Sequence, residues 1–197
     1  MKQNKTIKYI ARVAVLSAIA SLLMLLELPL WFAPPFYELD FSELPILLGG
    51  FALGPAAAVL MELIKNLLNL LMNGTDTAFV GEFANFVTGC ALVLPATLIY
   101  KYKKTLKGAI LGLVVGAVSL MTVGSLMNYF LLIPAFSSFY GMPIDAIVAM
   151  GTKVNGAIVD LKTLIVFAVV PFNLLKAAAC SVLSLLMYKR LSKILHI

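Results

Sequence analysis

Charged and amide side chains recur inside the apolar stretches of this chain. They are expensive to place there, so they mark candidate sites of chemistry. Glu62, Lys65, Asn66 and Asn69 follow one another at helical spacing, so Glu62 shares a face with Asn66, and Lys65 with Asn69. Glu82 and Asn85 fall in the first two turns of a later apolar segment. Asn128 lies near the end of another, and Asn173 and Lys176 share a face just after Pro171. An Asn amide offers both donors and an acceptor, whereas a Lys ammonium only donates. Asn128, Asn173 and Lys176 belong to different segments but fall at similar depth. Together they can read the donor–acceptor edge of a planar heterocycle. The competing interpretation is structural: amides that join helices, and Glu62 or Glu82 paired with Lys65.

Other chemistries lack their residues. The only histidine is His196, in the C-terminal tail, so no Ser–His pairing and no His/Cys metal constellation can form, and no P-loop is present. An intramembrane enzyme is disfavoured for want of a catalytic set. Without an ATP site, energy for transport must come from ion coupling or from partner subunits. Cys90 and Cys180 sit inside apolar runs and read as packing residues rather than a disulfide.

The elements that must hold these groups follow from composition. The chain has 197 residues, 62% of them hydrophobic, with a net charge of +6. This is the composition of an all-α integral membrane protein, read as a single membrane domain over residues 1–197. The excess positive charge lies in three clusters: Lys2, Lys5, Lys8 and Arg12; Lys101, Lys103, Lys104 and Lys107; and Lys189, Arg190 and Lys193. These clusters indicate topology and contact with membrane lipid, not nucleic acid. The first apolar run has no small-x-small exit site, so it is expected to be a membrane helix rather than a cleaved signal.

If all three clusters face the cytoplasm, the number of spans between consecutive clusters must be even. Three apolar blocks separate Arg12 from Lys101: Val13–Pro29, Leu44–Met72 and Phe79–Tyr100. The middle block must therefore count twice, turning at Gly54-Pro55, where proline disfavours helix in the residue before it. The expected spans are 7–28, 44–53, 56–72, 79–100, 106–133 (closed by Pro134) and 161–188 (kinked at Pro171). Asn73-Gly74-Thr75-Asp76 reads as a turn, and residues 135–160 as an outer loop with one short helix. That makes six transmembrane helices with both termini cytoplasmic. Span two rises only about 15 Å against a hydrocarbon core of about 30 Å. It must start deep, below a recessed outer loop one over residues 29–43. This loop is aromatic, proline-stiffened and acidic, containing Trp31, Phe32, Phe36, Tyr37, Leu39, Asp40 and Phe41. On span one, Ala11, Ala14, Ser17, Ala18 and Ser21 form a small-residue stripe. It suits either packing inside the bundle or docking of another membrane subunit.

Several stretches in this order and spacing carry a resemblance. They are Pro34-Pro35 followed by Leu39-Asp40-Phe41-Ser42-Glu43-Leu44-Pro45, then Phe51-Ala52-Leu53-Gly54-Pro55 and Lys65-Asn66-Leu67-Leu68-Asn69. Phe83-Ala84-Asn85-Phe86, Asn128-Tyr129-Phe130 and Pro171-Phe172-Asn173-Leu174-Leu175-Lys176 follow. Over nearly its whole length the chain resembles the riboflavin-specific substrate-binding subunits (S components) of energy-coupling factor (ECF) transporters. The resemblance implies high-affinity capture of riboflavin from outside, with riboflavin as transported ligand and no cofactor. It implies no enzymatic activity in this chain. The partners would be a transmembrane coupling subunit and two ATP-binding subunits that hydrolyse ATP. Asn128, Asn173 and Lys176 match the family's ring-edge ligands. Tyr37, Leu39, Asp40, Phe41, Lys65, Asn69, Glu82 and Asn85 complete the expected binding set, and Ala14 and Ala18 match the alanine motif that docks the coupling subunit. Glu82 beside Phe-Ala-Asn-Phe is a departure that would tune ligand preference or pair with Lys65. The alternatives are an S component for another vitamin, or an autonomous ion-coupled secondary transporter with Glu62 or Glu82 carrying the proton.

Overall fold

The structure is a computed structural model that describes residues 2–75 and 77–195, with side chains over residues 5–75 and 77–188. Asp76 and His196 lie outside the described residues, as do the side chains of Lys2, Lys189, Arg190 and Lys193. The chain is mostly helical. Five helices are long and apolar enough to cross a membrane: Lys5–Met24, Pro55–Asn73, Val80–Tyr102, Leu106–Tyr140 and Leu161–Tyr188. A shorter apolar helix covers Glu43–Leu53.

In chain order, α1 is Lys2–Met24, α2 Glu43–Leu53, α3 Pro55–Asn73, α4 Val80–Tyr102 and α5 Leu106–Met127. Then come α6 Ile133–Tyr140, α7 Ile144–Val154, the short α8 Leu161–Leu164, and α9 Val170–Leu195. Helix α2 packs against α1, α3, α4 and α9. It is apolar nearly all round and almost fully buried, Ile46 and Leu47 completely so, as expected of a helix enclosed by other helices rather than by solvent. This enclosure explains its short length, because backbone that ends at depth is tolerated when protein surrounds it. The break to α3 falls at Gly54, whose φ of +98° favours glycine, followed by Pro55 at the first helical position.

Two expected boundaries are corrected. The first span does not run to Leu28. Helix α1 stops at Met24, and Leu28–Pro29 (β1) pairs antiparallel with Glu38–Leu39 (β2), Leu28 opposite Leu39. Pro29 disfavours helix in the residue before it, and the pairing holds the extended chain. Loop one is thus a small clasp, the one strand pair in an otherwise helical fold among the described residues.

The fifth span does not end at Pro134 either. Helix continues to Tyr140 because residues Asn128–Leu132 form a π turn ahead of that proline. A second π turn, Ile165–Val169, precedes Pro171. A proline inside an α-helix removes a hydrogen bond and crowds the carbonyl four residues back. The wider turn absorbs both effects, and such π-bulges often mark functional sites. This second π turn lies just ahead of the position where a kink was expected, and the two π turns touch one another.

Candidate ligand-binding cavity

At the loop-one end of the bundle lies a cavity of about 640 Å³, within the size range of small-molecule sites. It is walled by the end of α1, loop one, the first turns of α4, the π turn after α5, helices α6 and α7, and the start of α9. Buried residues of loop one, the second π turn and α7 pack together beside it, among them Tyr37, Leu39, Ile147, Ile165 and Phe172.

The π turn brings Asn128 to the cavity wall, buried. Its Nδ2 donates to the Gly124 carbonyl at 2.8 Å, and its Oδ1 accepts from the Tyr37 hydroxyl at 2.6 Å. Burial pushes the Tyr37 phenol up from its ordinary value, so it stays a neutral donor. Tyr37 also joins a run of rings, 4.7 Å from Phe36 and 5.3 Å from Phe172 between centroids, spacing suited to aromatic contact. Asn173 reaches the same cavity from α9, 6% exposed, and its Nδ2 has no protein partner. A buried donor left unpaired costs about 1–3 kcal/mol, so this group suits an acceptor supplied by a ligand. Gly124 makes room for it: a Cβ there would lie 2.5 Å from the Asn173 Nδ2.

Lys176, one turn further along α9, donates to Asp40 at 2.7 Å. Asp40 Oδ1 also accepts from the Ser42 backbone N–H at 2.7 Å. Burial alone would raise the Asp40 carboxyl, but the Lys176 and Lys65 ammonium groups and the hydrogen bonds from Lys176 and Ser42 bring it down to about 2. Beneath this pair sits a fully buried charge cluster. Lys65 lies 2.8 Å from both Glu43 and Glu62 and donates to the Ser42 hydroxyl at 3.4 Å. A continuous polar network therefore runs from Lys65 through Ser42 and Asp40 to Lys176, fastening the start of α2 beneath the cavity.

Six of the residues singled out from sequence line the cavity: Tyr37, Asp40, Asn85, Asn128, Asn173 and Lys176. Leu39, Phe41, Lys65, Asn69 and Glu82 are not among its lining residues. Leu39 and Phe41 pack in the core behind it, and Asn69 accepts from Asn73 on the α3 surface. Glu82 pairs not with Lys65 but with the loop before α4, accepting from the Thr75 and Thr77 hydroxyls at 3.1 and 3.3 Å. Trp31, in loop one, is 90% exposed and does not line the cavity.

Three lining carboxylates escaped attention as a group: Glu27, Glu38 and Glu43. Glu38 entered only as loop acidity, Glu43 only within a resembling stretch, and Glu27 was hidden inside the overlong first span. Partial burial, then the hydrogen bond and charge of Glu38 and the charge of Asp40, push Glu27 up to about 7 against the opposing pull of Lys176.

Known proteins resemble this chain over most of its length. Residues 8–188 match the family described as ECF transporter, substrate-specific component. The riboflavin transporter RibU of Staphylococcus aureus (strain TCH60) is 39% identical over 195 residues, covering 99% of this chain and 94% of the relative. The riboflavin transporter FmnP of Bacillus subtilis (strain 168) is 31% identical over 94% of this chain and 92% of its own. A solved structure reported under "Structure and mechanism of the S component of a bacterial ECF transporter" superposes with a TM-score of 0.75 at 34% identity, covering 98% of this chain and 99% of the other. With five helices fit to cross a membrane and a family match over most of its length, the chain is a multi-pass cell-membrane protein that belongs to the substrate-specific components of ECF transporters.

Proposed function

We propose that this chain is one membrane domain that captures riboflavin at the outer face of the cell membrane. It would hand the vitamin to a transport cycle driven by a transmembrane coupling subunit and two ATP-binding subunits. The observation that carries this reading is the convergence of Asn128, Asn173 and Lys176 on one cavity, beside the rings of Phe36, Tyr37 and Phe172. The isoalloxazine ring of riboflavin is flat, with an apolar end and an edge alternating carbonyl and nitrogen positions. Aromatic and aliphatic walls suit its faces, and two amides with an ammonium suit its edge. Both close relatives named above are riboflavin transporters.

Orientation follows from charge. The Lys101–Lys104 segment lies at or just beyond the far end of α4 from the cavity, and Lys5, Lys8 and Arg12 occupy the far end of α1. Basic flanks stay cytoplasmic, which supports an orientation with both termini inside, α2 as a sixth, recessed span, and the cavity facing outward. The direct test is purification in mild detergent. A flavin absorption band should copurify, or appear on titration with riboflavin. A chain that stays colourless and binds no added riboflavin refutes the reading.

Asn128→Ala or Asn173→Ala should weaken riboflavin binding by about 5- to 150-fold, the equivalent of about 1–3 kcal/mol for a lost buried hydrogen bond. The melting temperature of Asn173→Ala should change little, whereas that of Asn128→Ala should fall modestly, because the buried Tyr37 hydroxyl loses its acceptor. Gly124→Ala, which crowds the Asn173 amide, should reproduce part of that loss. Fluorescence titration of all three variants checks this, and unchanged affinity throughout would place the ligand elsewhere.

Helix α1 supports a docking role. Ser17 and Ser21 of the small-residue stripe are buried, whereas Ala11, Ala14 and Ala18 are exposed. Ala14→Leu and Ala18→Leu should therefore leave melting temperature and riboflavin affinity intact. Recovery of the complex with the coupling subunit, and uptake in cells, should fall, because bulk at small-xxx-small positions blocks close helix approach. Loss of fold and binding together would instead assign the stripe to internal packing.

A further inference from the structure

The charges that line the cavity are distributed by depth. Asn128 and Asn173 are buried, and Lys176 nearly so. Glu27 and Glu38 line the same cavity but are exposed, at its rim. They come from opposite sides of the loop-one clasp, Glu27 just ahead of β1 and Glu38 within β2, near enough for the charge of Glu38 to raise the Glu27 carboxyl. Lys176 is the only Lys or Arg among the lining residues, and Asp40 already engages it at 2.7 Å. Glu43, also lining, is matched by Lys65. The one helix N-terminus of the long spans that meets the cavity, that of α4, is spoken for as well. The Val80 N–H donates to the Thr77 carbonyl, the Gly81 N–H to the Thr77 hydroxyl, and Glu82 occupies the first turn.

We propose that Glu27 and Glu38 form an anionic rim that selects the neutral vitamin over flavins whose side chain ends in a phosphate. This rests on the riboflavin reading. The unpartnered Nδ2 of Asn173, 6% exposed in the cavity wall, marks the end where the ring edge docks. The flexible five-carbon ribityl chain leaves the middle ring at N10, beside the edge that docks on Asn173, and from there its terminal oxygen can extend to the rim. In riboflavin that oxygen is a hydroxyl, which a carboxylate can accept from. In FMN it carries a phosphate ester of about −1.5 to −2 charge. Phosphate is normally met by Arg, Lys or free helix N–H groups, and the rim offers none of these among the described residues. It offers carboxylates instead, and such a built-in repulsion is a means of specificity.

The test is the ratio of FMN to riboflavin dissociation constants, measured on the purified full chain in detergent at pH 8, where Glu27 and the phosphate are both ionised. For unit charges several ångströms apart near a protein surface, each carboxylate accounts for about 3- to 10-fold in that ratio. The wild type should favour riboflavin. Glu27→Gln and Glu38→Gln should each lower the ratio by that factor, the double variant by about 10- to 100-fold, and Glu38→Lys further than Glu38→Gln. Added salt should shrink the wild-type ratio and leave that of the double variant nearly flat. If wild-type protein binds FMN as tightly as riboflavin, or the double variant keeps a ratio within about twofold of wild type, the rim does not select. If the wild type binds neither flavin, the riboflavin reading itself has failed.

Discussion

Lys65→Met should be the most destabilising single substitution in the chain, lowering stability by about 3–5 kcal/mol. That is the cost of removing one partner from a buried ion cluster and leaving uncompensated charge behind. Lys65 is completely buried, and Glu43 and Glu62 both direct a carboxylate oxygen to it at 2.8 Å. The variant leaves both carboxylates without their counter-charge and Glu43 and the Ser42 hydroxyl without their donor, loosening the start of α2 and, through Asp40, the hold on Lys176. Thermal unfolding in detergent should therefore report a large drop, accompanied by weaker riboflavin binding although Lys65 does not line the cavity. Neutralising the acids should repair it. The triple variant Lys65→Met, Glu43→Gln, Glu62→Gln should melt well above Lys65→Met alone, since replacing an entire buried ion cluster costs far less than breaking it. A single variant that melts like the wild type would show that the cluster does not hold the fold together.

The second large effect concerns Lys176. It bonds Asp40 in the structure and stands where it can meet the ring edge of the ligand. Truncating one member of a buried charged pair costs about 2–5 kcal/mol, so Lys176→Met should weaken riboflavin binding by about 30- to 4,000-fold. The loss has two sources, and a double variant separates them. Asp40→Asn removes the stranded carboxylate, so Asp40→Asn with Lys176→Met should recover most of the melting temperature but little of the affinity. Recovery of both would reduce Lys176 to a fastener of loop one. Affinity within about threefold of wild type in Lys176→Met would exclude it from the ligand contact.

These two lysines divide the polar interior into two tasks. Lys65 holds the short helix α2 in the middle of the bundle, and Lys176 faces the cavity. Ser42 and Asp40, at the foot of loop one, join them. Loop one is also tied to the far wall by the bond from Tyr37 to Asn128, which closes 91 residues of chain. Because Asn128 and Lys176 are already engaged by loop-one side chains, ligand entry must share or displace those bonds. A change in loop one is therefore felt directly at the residues that would read the ring.

By itself the sequence determined the membrane class, the break at Gly54-Pro55, the centres of the long helices and the family. Six residues of the binding set expected from it line the cavity. These depend on information local to the chain: hydropathy over twenty residues, proline's missing N–H, glycine's access to positive φ, and the cost of a charge in an apolar run. Tertiary structure alone decided which partner each charge took. Lys65 lies at the same i,i+3 spacing from Glu62 as any surface pair, yet it is the arrival of Glu43 from α2 that completes its cluster. Glu82 is closer in sequence to the α3–α4 turn than to Lys65, and the turn's threonine hydroxyls claimed it. The end of α1 was set by pairing between Leu28 and Leu39, and the length of the fifth helix by a π turn that accommodates Pro134. The rim position of Glu27 followed from the first of these. Glu43 meets Lys65 only when α2 packs on α3, and Leu28 meets Leu39 only when loop one folds back, so a pattern read along the chain carries no record of which of these surfaces will meet.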